Sequence, residues 1–237
     1  MLEFLLVIPA RYKSSRLPGK PLIDIKGIPM IIRTCMQCSK AVSKRNIVVA
    51  TDDIRILRLV KNYGYNCLIT SKDCKTGTDR VAEISKTIIA NYYINVQGDE
   101  PIFNPLDIKK LLKYINNKHK EVLLGYAKIL DFNEVKNKNI PKVYFDENKR
   151  LIFASRIPLN FNYNNFYYKQ ILAYSYPRNL LQIFYQKKEK TFFEKKEDIE
   201  ILRFIELGID VKLIKMSSRS KSVDVRSDLK IIINSLQ

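Results

Sequence analysis

A chain of 237 residues, 46% hydrophobic and 11% aromatic, has the size and composition of one α/β domain that folds without disulfide or metal staples, and is not a disordered chain. No apolar run reaches the roughly 18 residues that span a bilayer, and the run from Phe4 to Ile8 is too short for a secretory core, so no membrane contact and a cytosolic location are expected. The net charge of +18 suggests nucleic acid, but the basic residues are spread along the chain and the densest stretch, 187–197, alternates sign. A nucleic-acid binder gathers them on one face, so no specific nucleic-acid partner is expected.

In chain order, short apolar runs alternate with helical patterns. Phe4–Ile8, Ile47–Ala50, Cys67–Ile69 and Tyr92–Val96 read as buried strands, with helices predicted at 30–40, 53–63 and 79–90 between them. A helix over 105–117 and a strand over 122–128 follow. Residues 143–153 read as a hairpin and 160–168 as a loop. The rest is a strand over 171–176, a helix over 178–186, a longer helix over 194–207 ended by Gly208, a strand over 211–215 and a closing helix over 228–236. This order predicts a Rossmann-like, mostly parallel sheet flanked by helices. The whole chain, 1–237, is expected to form a single domain, with 129–168 a small β-containing insertion lobe over the sheet edge.

The chemistry is bounded by what is scarce. Cys35 and Cys38 have the spacing of a zinc half-site, but Cys67 and Cys74 have six residues between them and His119 is the only imidazole. Buried thiols are the plainer reading. A single His also argues against Ser/His and Cys/His nucleophile systems, leaving carboxylates, cations, backbone groups and an oxygen-liganded metal.

Ligands of a doubly wound sheet bind at the carboxyl ends of its strands. The first strand ends in Pro9-Ala10-Arg11-Tyr12-Lys13-Ser14-Ser15-Arg16-Leu17-Pro18-Gly19-Lys20-Pro21, whose four cations and three prolines suit a rigid grip on a polyphosphate, with a solvated basic loop as the alternative. It is not a Walker A loop, because Pro21 follows Gly-Lys where a hydroxyl residue would hold magnesium. The strand at 92–96 runs into Gln97-Gly98-Asp99-Glu100-Pro101, whose carboxylates are hard oxygen ligands of the kind Mg²⁺ takes alongside phosphates, or caps for the next helix. Thr76-Gly77-Thr78-Asp79-Arg80 is either a plain helix cap or a reader of a base edge or ribose.

Together, the segment from Ile8 to Leu22, Ala50-Thr51-Asp52, Thr76-Gly77-Thr78-Asp79-Arg80 and Asn95-Val96-Gln97-Gly98-Asp99-Glu100-Pro101 resemble the 3-deoxy-manno-octulosonate cytidylyltransferases. Ala154-Ser155-Arg156-Ile157-Pro158, Tyr174-Ser175-Tyr176, the Glu194/Glu197/Glu200/Arg203 segment and Val223-Asp224 continue the likeness more loosely. The resemblance implies transfer of CMP from CTP to the anomeric hydroxyl of an eight-carbon ulosonic acid, with release of pyrophosphate, for lipopolysaccharide precursors. It implies Mg²⁺ on Asp99 and Asp224, and Lys20, Arg16, Asp99 and Asp224 as the catalytic set. Pro9, Ala10, Arg11, Lys20, Thr76, Gly77, Arg80 and Gln97 would meet the nucleotide. Arg16, Gln97, Arg156, Gln170, Tyr174, Glu197, Glu200 and Arg203 would meet the sugar, and the enzyme would be a homodimer. Three positions depart from the family pattern: Gln170 stands where a His is usual, Leu172 where a Gly is, and Val225 where a Thr is. These leave a related acceptor, such as an amino-substituted octulosonate, open.

Overall fold

The computed structural model describes residues 1–13, 17–160, 166–218, 220 and 222–236. The chain begins with β1 (Leu2–Ala10), a two-residue hairpin of β2 (Asp24–Ile25) and β3 (Ile28–Pro29), α1 (Met30–Ser39), β4 (Ile47–Thr51), α2 (Ile54–Asn62) and β5 (Asn66–Ile69). It continues with α3 (Gly77–Thr87), β6 (Ala90–Val96), α4 (Pro105–Asn116), β7 (Val122–Lys128) and α5 (Phe132–Lys136). The remainder is β8 (Lys142–Phe145), β9 (Leu151–Ser155), β10 (Tyr168–Pro177), α6 (Arg178–Gln186), α7 (Phe192–Glu197), α8 (Leu202–Glu206), β11 (Val211–Lys215) and α9 (Arg226–Ser235).

The main sheet runs β11-β7-β10-β6-β1-β4-β5. Its neighbours pair in parallel except at β10, which is antiparallel to both β6 and β7. Alternation explains the continuous apolar runs. Leu6 and Ile8 of β1 face the core under α1, α2 and α4, while Leu5 and Val7 face the core under α3, α6 and α8. A strand buried on both faces has no polar register to show. The strand order reverses beside β1, between β4 and β6, which is where such sheets open a ligand crevice.

The second half shows how the insertion meets the sheet and corrects one expectation. The hairpin β8–β9 is bonded to the sheet at two places: Lys142 pairs with Lys169 of β10, where β10 runs on beyond the end of β6, and at the other end Arg150 bridges Lys212 of the edge strand β11, with the Leu213 amide donating to the Lys149 carbonyl at 2.7 Å. Its Val143, Leu151 and Ala154 join the core. The single helix expected over 194–207 is two short ones. Asp198 adopts φ +52, and Arg156 takes the carbonyl oxygens of Glu197 and Asp198 at 2.7 and 2.9 Å, closing α7 there. Glu197 and Glu200 therefore do not share a helix face.

The C-terminal segment returns to the first loop. Val223 and Ile232 pack with Leu17, Ile25 and Met30 in a small core of their own, and the Val223 amide donates to the Asp99 carbonyl at 3.0 Å. At the start of α9 the Asp228 carboxylate accepts from the amides of Asp224 and Val225 at 2.8 and 2.9 Å. Asp228 thus supplies the carboxylate half of a capping box; the other half, a hydroxyl at 225 accepting from the Asp228 amide, is absent with Val225, and that amide donates to the Val225 carbonyl at 3.1 Å instead.

Candidate active site

A cavity of about 270 Å³ lies at the carboxyl ends of β1 and β6. Its floor is Pro9 and Ala10 from β1 with Gln97, Gly98 and Asp99 from the loop after β6. Gly98 is required by close approach, since a Cβ there would stand 2.8 Å from the Pro9 carbonyl oxygen. The first loop is folded back by the bond from Gly19 N–H to the Tyr12 carbonyl, 3.1 Å, with Gly19 at φ +67. That turn delivers Lys20 into the cavity, while Arg11 lines the rim and forms no hydrogen bond or ion pair among the described residues.

Lys20 is the centre of an acid–cation cluster assembled from three distant segments. Its ammonium donates to Asp99 Oδ2 at 2.5 Å and to the Val223 carbonyl at 2.8 Å, and lies 3.9 Å from Asp224 Oδ1. The second carboxylate oxygen, Asp99 Oδ1, is buried with no hydrogen-bond partner among the described residues. Behind it Glu100 is 3% exposed, and burial first, then the charge of Asp99, pushes its carboxyl up to about 8. Burial thus favours the protonated, uncharged form of Glu100 behind the pair in front of it.

The opposite wall is a polar network. Glu200 accepts from the Thr78 amide at 3.0 Å and from Gln97 Nε2 at 3.3 Å, and burial raises its carboxyl pKa. Gly77 leaves room for this: a Cβ there would run into the Gln97 amide. Tyr174 and Gln170 complete the wall, joined by a bond of 2.8 Å from Gln170 Nε2 to the tyrosine oxygen. Burial holds the Tyr174 hydroxyl well above its ordinary pKa, so it stays a neutral donor.

This arrangement agrees with what the chain is similar to. The sequence model of the cytidylyltransferase family matches residues 5–214. Proteins named 3-deoxy-manno-octulosonate cytidylyltransferase are 36% identical in Fusobacterium nucleatum, over 98% of this chain and 96% of that protein, and 33% identical in Escherichia coli, over 94% and 92%. A solved structure of CMP:2-keto-3-deoxy-manno-octonic acid synthetase complexed with CTP superimposes with a TM-score of 0.90 at 32% identity, covering 99% of this chain and 98% of that one. The chain belongs to the 3-deoxy-manno-octulosonate cytidylyltransferase family.

In this family member, Pro9, Ala10, Arg11, Lys20, Thr76, Gly77, Arg80, Gln97, Asp99, Arg156, Gln170, Tyr174, Glu200 and Asp224 all line the one cavity. Arg16 lies outside the described residues. Two expected sugar contacts are corrected. Arg203 is fully buried and does not line the cavity: it grips Glu194 with two bonds of 2.6 Å, reaches Asp79 at 2.8 Å and stacks on Phe184. Glu197 is also off the cavity wall, its carboxylate accepting from the Arg156 amide at 2.8 Å.

Arg80 and Arg156 reach the cavity with most of their donors already engaged. Arg80 pairs with Asp52 at 2.7 Å and donates to Thr70 Oγ1 at 2.6 Å, and Asp52 also accepts from the Tyr12 amide. Arg156 binds three backbone carbonyls, of Lys138, Glu197 and Asp198. Sequence reasoning passed over Asp79, whose Oδ2 closes the capping box of α3 with Thr76 while its Oδ1 takes Arg203, and so holds Thr76 and Gly77 in place. The signal was present in the Thr-x-x-Asp spacing of residues 76–79.

Proposed function

We propose that this chain transfers CMP from CTP to the anomeric hydroxyl of 3-deoxy-D-manno-octulosonate or a close analogue, releasing pyrophosphate, in the supply of lipopolysaccharide precursors. The observation that carries the reading is the meeting of Arg11, Lys20, Asp99 and Asp224 at one crevice of the sheet, in a chain whose relatives bear that name over nearly their full lengths.

Arg11 and Lys20 would hold the triphosphate, Arg11 because its guanidinium forms no hydrogen bond or ion pair among the described residues and Lys20 because it stands at the loop turn facing Asp99. The base and ribose would lie along Thr76 and Gly77, whose backbone is fixed by the α3 cap. The sugar acid would lie against Gln97, Gln170, Tyr174 and Glu200. With its hydroxyl held in line with the α-phosphorus, a new oxygen–phosphorus bond forms as the bond to the β-phosphate oxygen breaks; the hydroxyl proton leaves to water, and pyrophosphate carries away the displaced charge.

The residues fit Mg²⁺. Asp99 Oδ1 is an orphaned buried acceptor, and the Lys20 ammonium already marks the gap between Asp99 and Asp224 as a place for positive charge. No cluster of three or more metal-binding side chains exists among the described residues, and two carboxylates, with substrate oxygens and water, are the usual magnesium set. When bound, the ion supplies charge that offsets the phosphates and acidifies the attacking hydroxyl.

No helix among the described residues is long and apolar enough to cross a membrane. We also propose a homodimer joined through the insertion, which leaves Leu130, Phe132, Ile152 and Ile157 more than half exposed. Pyrophosphate release from CTP and Mg²⁺ with a panel of ulosonic acids tests the activity. Asp99→Asn is expected to cut turnover on the order of 10³-fold with the melting temperature unchanged. No release with any ulosonic acid would refute the reading.

A further inference from the structure

Tyr12 stands where the first loop leaves the sheet and where it returns. Ala10 and Thr51 are register partners at the carboxyl ends of β1 and β4, so the residues that follow the two strands come out side by side, and the turn after β4 grips Tyr12 twice. The Asp52 carboxylate accepts from the Tyr12 amide at 3.3 Å, and the Arg55 guanidinium lies over the Tyr12 ring, 3.5 Å from its centroid. The Tyr12 carbonyl in turn accepts from the Gly19 amide at 3.1 Å, and Gly19 lies against the ring, where a Cβ would stand 3.3 Å from Tyr12 Cε2. Arg11 precedes this tyrosine and Lys20 follows that glycine. The spacing of the two cations at the mouth of the cavity is therefore set at Tyr12.

Arg55 has little other use. Its side chain is 54% exposed and adds little to the core. The N-cap of α2 needs only its backbone amide, which donates to Asp53 and which any residue at 55 would supply. The guanidinium forks onto the Asp53 carboxylate at 2.9 and 2.7 Å, and a bidentate pair of this kind fixes the plane that lies over the ring. Neither Arg55 nor Tyr12 lines the cavity. An exposed stack of a cation on an aromatic face shifts a conformational equilibrium by about two- to fivefold, too little to hold a fold and enough to bias a surface loop.

We propose that Arg55 is a positioning residue for the nucleotide: stacked on Tyr12, it keeps Arg11 and Lys20 at the spacing a triphosphate needs, and it touches neither substrate. Without the stack the loop spends less time in the binding arrangement, and the apparent affinity for CTP falls by the same fraction. The proposal rests on the cytidylyl-transfer reading.

Calorimetric titration of the intact protein with CTP and Mg²⁺, in the absence of any sugar acid, is the test. Arg55→Ala is expected to weaken CTP binding about fivefold, with the melting temperature within about 2 °C of the wild type. In steady state KM for CTP is expected to rise by that factor, with kcat and KM for the sugar acid within about twofold. Arg58→Ala removes an exposed cation from the next turn of the same helix and is expected to leave CTP binding within about twofold, which separates the stack from general attraction of an anion. Tyr12→Leu keeps an apolar side chain, removes the ring, and is expected to cancel the effect of adding Arg55→Ala. Unchanged CTP affinity in Arg55→Ala, a loss seen in kcat instead of KM, a loss that comes with a lowered melting temperature, an equal loss in Arg58→Ala, or full additivity with Tyr12→Leu would overturn the proposal alone. The Arg58 comparison serves if Tyr12→Leu does not fold. A wild type that binds no CTP would overturn the cytidylyl-transfer reading and this proposal with it.

Discussion

The two walls of the cavity use the same residue types for opposite purposes. On the β1 side Arg11 keeps every guanidinium donor free among the described residues, and Lys20 is held by groups that also face the substrate. On the side built from residues 156–203, Arg156 at the wall and Arg203 buried behind it spend their donors on backbone carbonyls and buried carboxylates. Both walls are basic in sequence. What separates a binding arginine from a structural one is whether the fold has already supplied its acceptors, and that follows from tertiary contacts alone.

The largest effect that sharpens this contrast is expected at Arg203. Arg203→Met strands Glu194, which is fully buried, and frees Asp79 from its second partner. A loss of about 3–5 kcal/mol is expected in denaturant unfolding, with the weakened α3 cap raising KM for the nucleotide as a secondary effect. A variant as stable as the wild type would place Arg203 with the binding residues and erase the distinction.

Lys142 probes the same wall by pH. It is fully buried, has no carboxylate partner among the described residues, and donates to the carbonyls of Asn137 and Arg156 at 2.7 and 3.0 Å. Burial, with Arg156 adding repulsion, pulls its ammonium down from 10.5 to about 8. A cation whose folded pKa is depressed contributes stability that is complete above its unfolded value and is lost as pH falls through the folded one. The wild type should therefore gain about 1–3 kcal/mol relative to Lys142→Met between pH 8 and 10.5, read from paired unfolding curves. A constant difference across that range would show that the site is wetter than its exposure indicates.

How much was legible follows the same division. The strand at 122–128 and the helix at 178–186 fall where the apolar pattern puts them, because each is set by its own residues and by packing on one sheet. The Asp99 loop was readable because a carboxylate pair at a strand end has few structural reasons to exist. The antiparallel placement of β10 was not, since a strand buried on both faces has the same apolar pattern in either direction. Nor was the break at Asp198: the residues 194–207 are good helix formers, and what stops the helix is Arg156, some forty residues earlier in the chain. The β2–β3 hairpin was also missed, although Lys26-Gly27, both at positive φ, is a turn pair of the kind that closes two-residue hairpins.

The smallest effect on stability is expected at Arg11, and that smallness is its diagnostic value. A side chain exposed at the rim with no bond to the described protein contributes nothing to the fold that alanine would remove, so Arg11→Ala should leave unfolding within about 0.5 kcal/mol of the wild type. The same substitution removes a free guanidinium from the mouth of an anionic-substrate site, where a charge-assisted bond to phosphate is the interaction at stake. KM for CTP should rise about tenfold, KM for the sugar acid should stay within twofold, and the loss should shrink as salt is added and screens the charge. Arg203→Met and Arg11→Ala thus make opposite predictions on the same two axes, stability and nucleotide binding. A marked loss of stability at Arg11 would mean that its donors are taken up within the fold after all, and that the β1 wall is scaffolding of the same kind as the wall opposite.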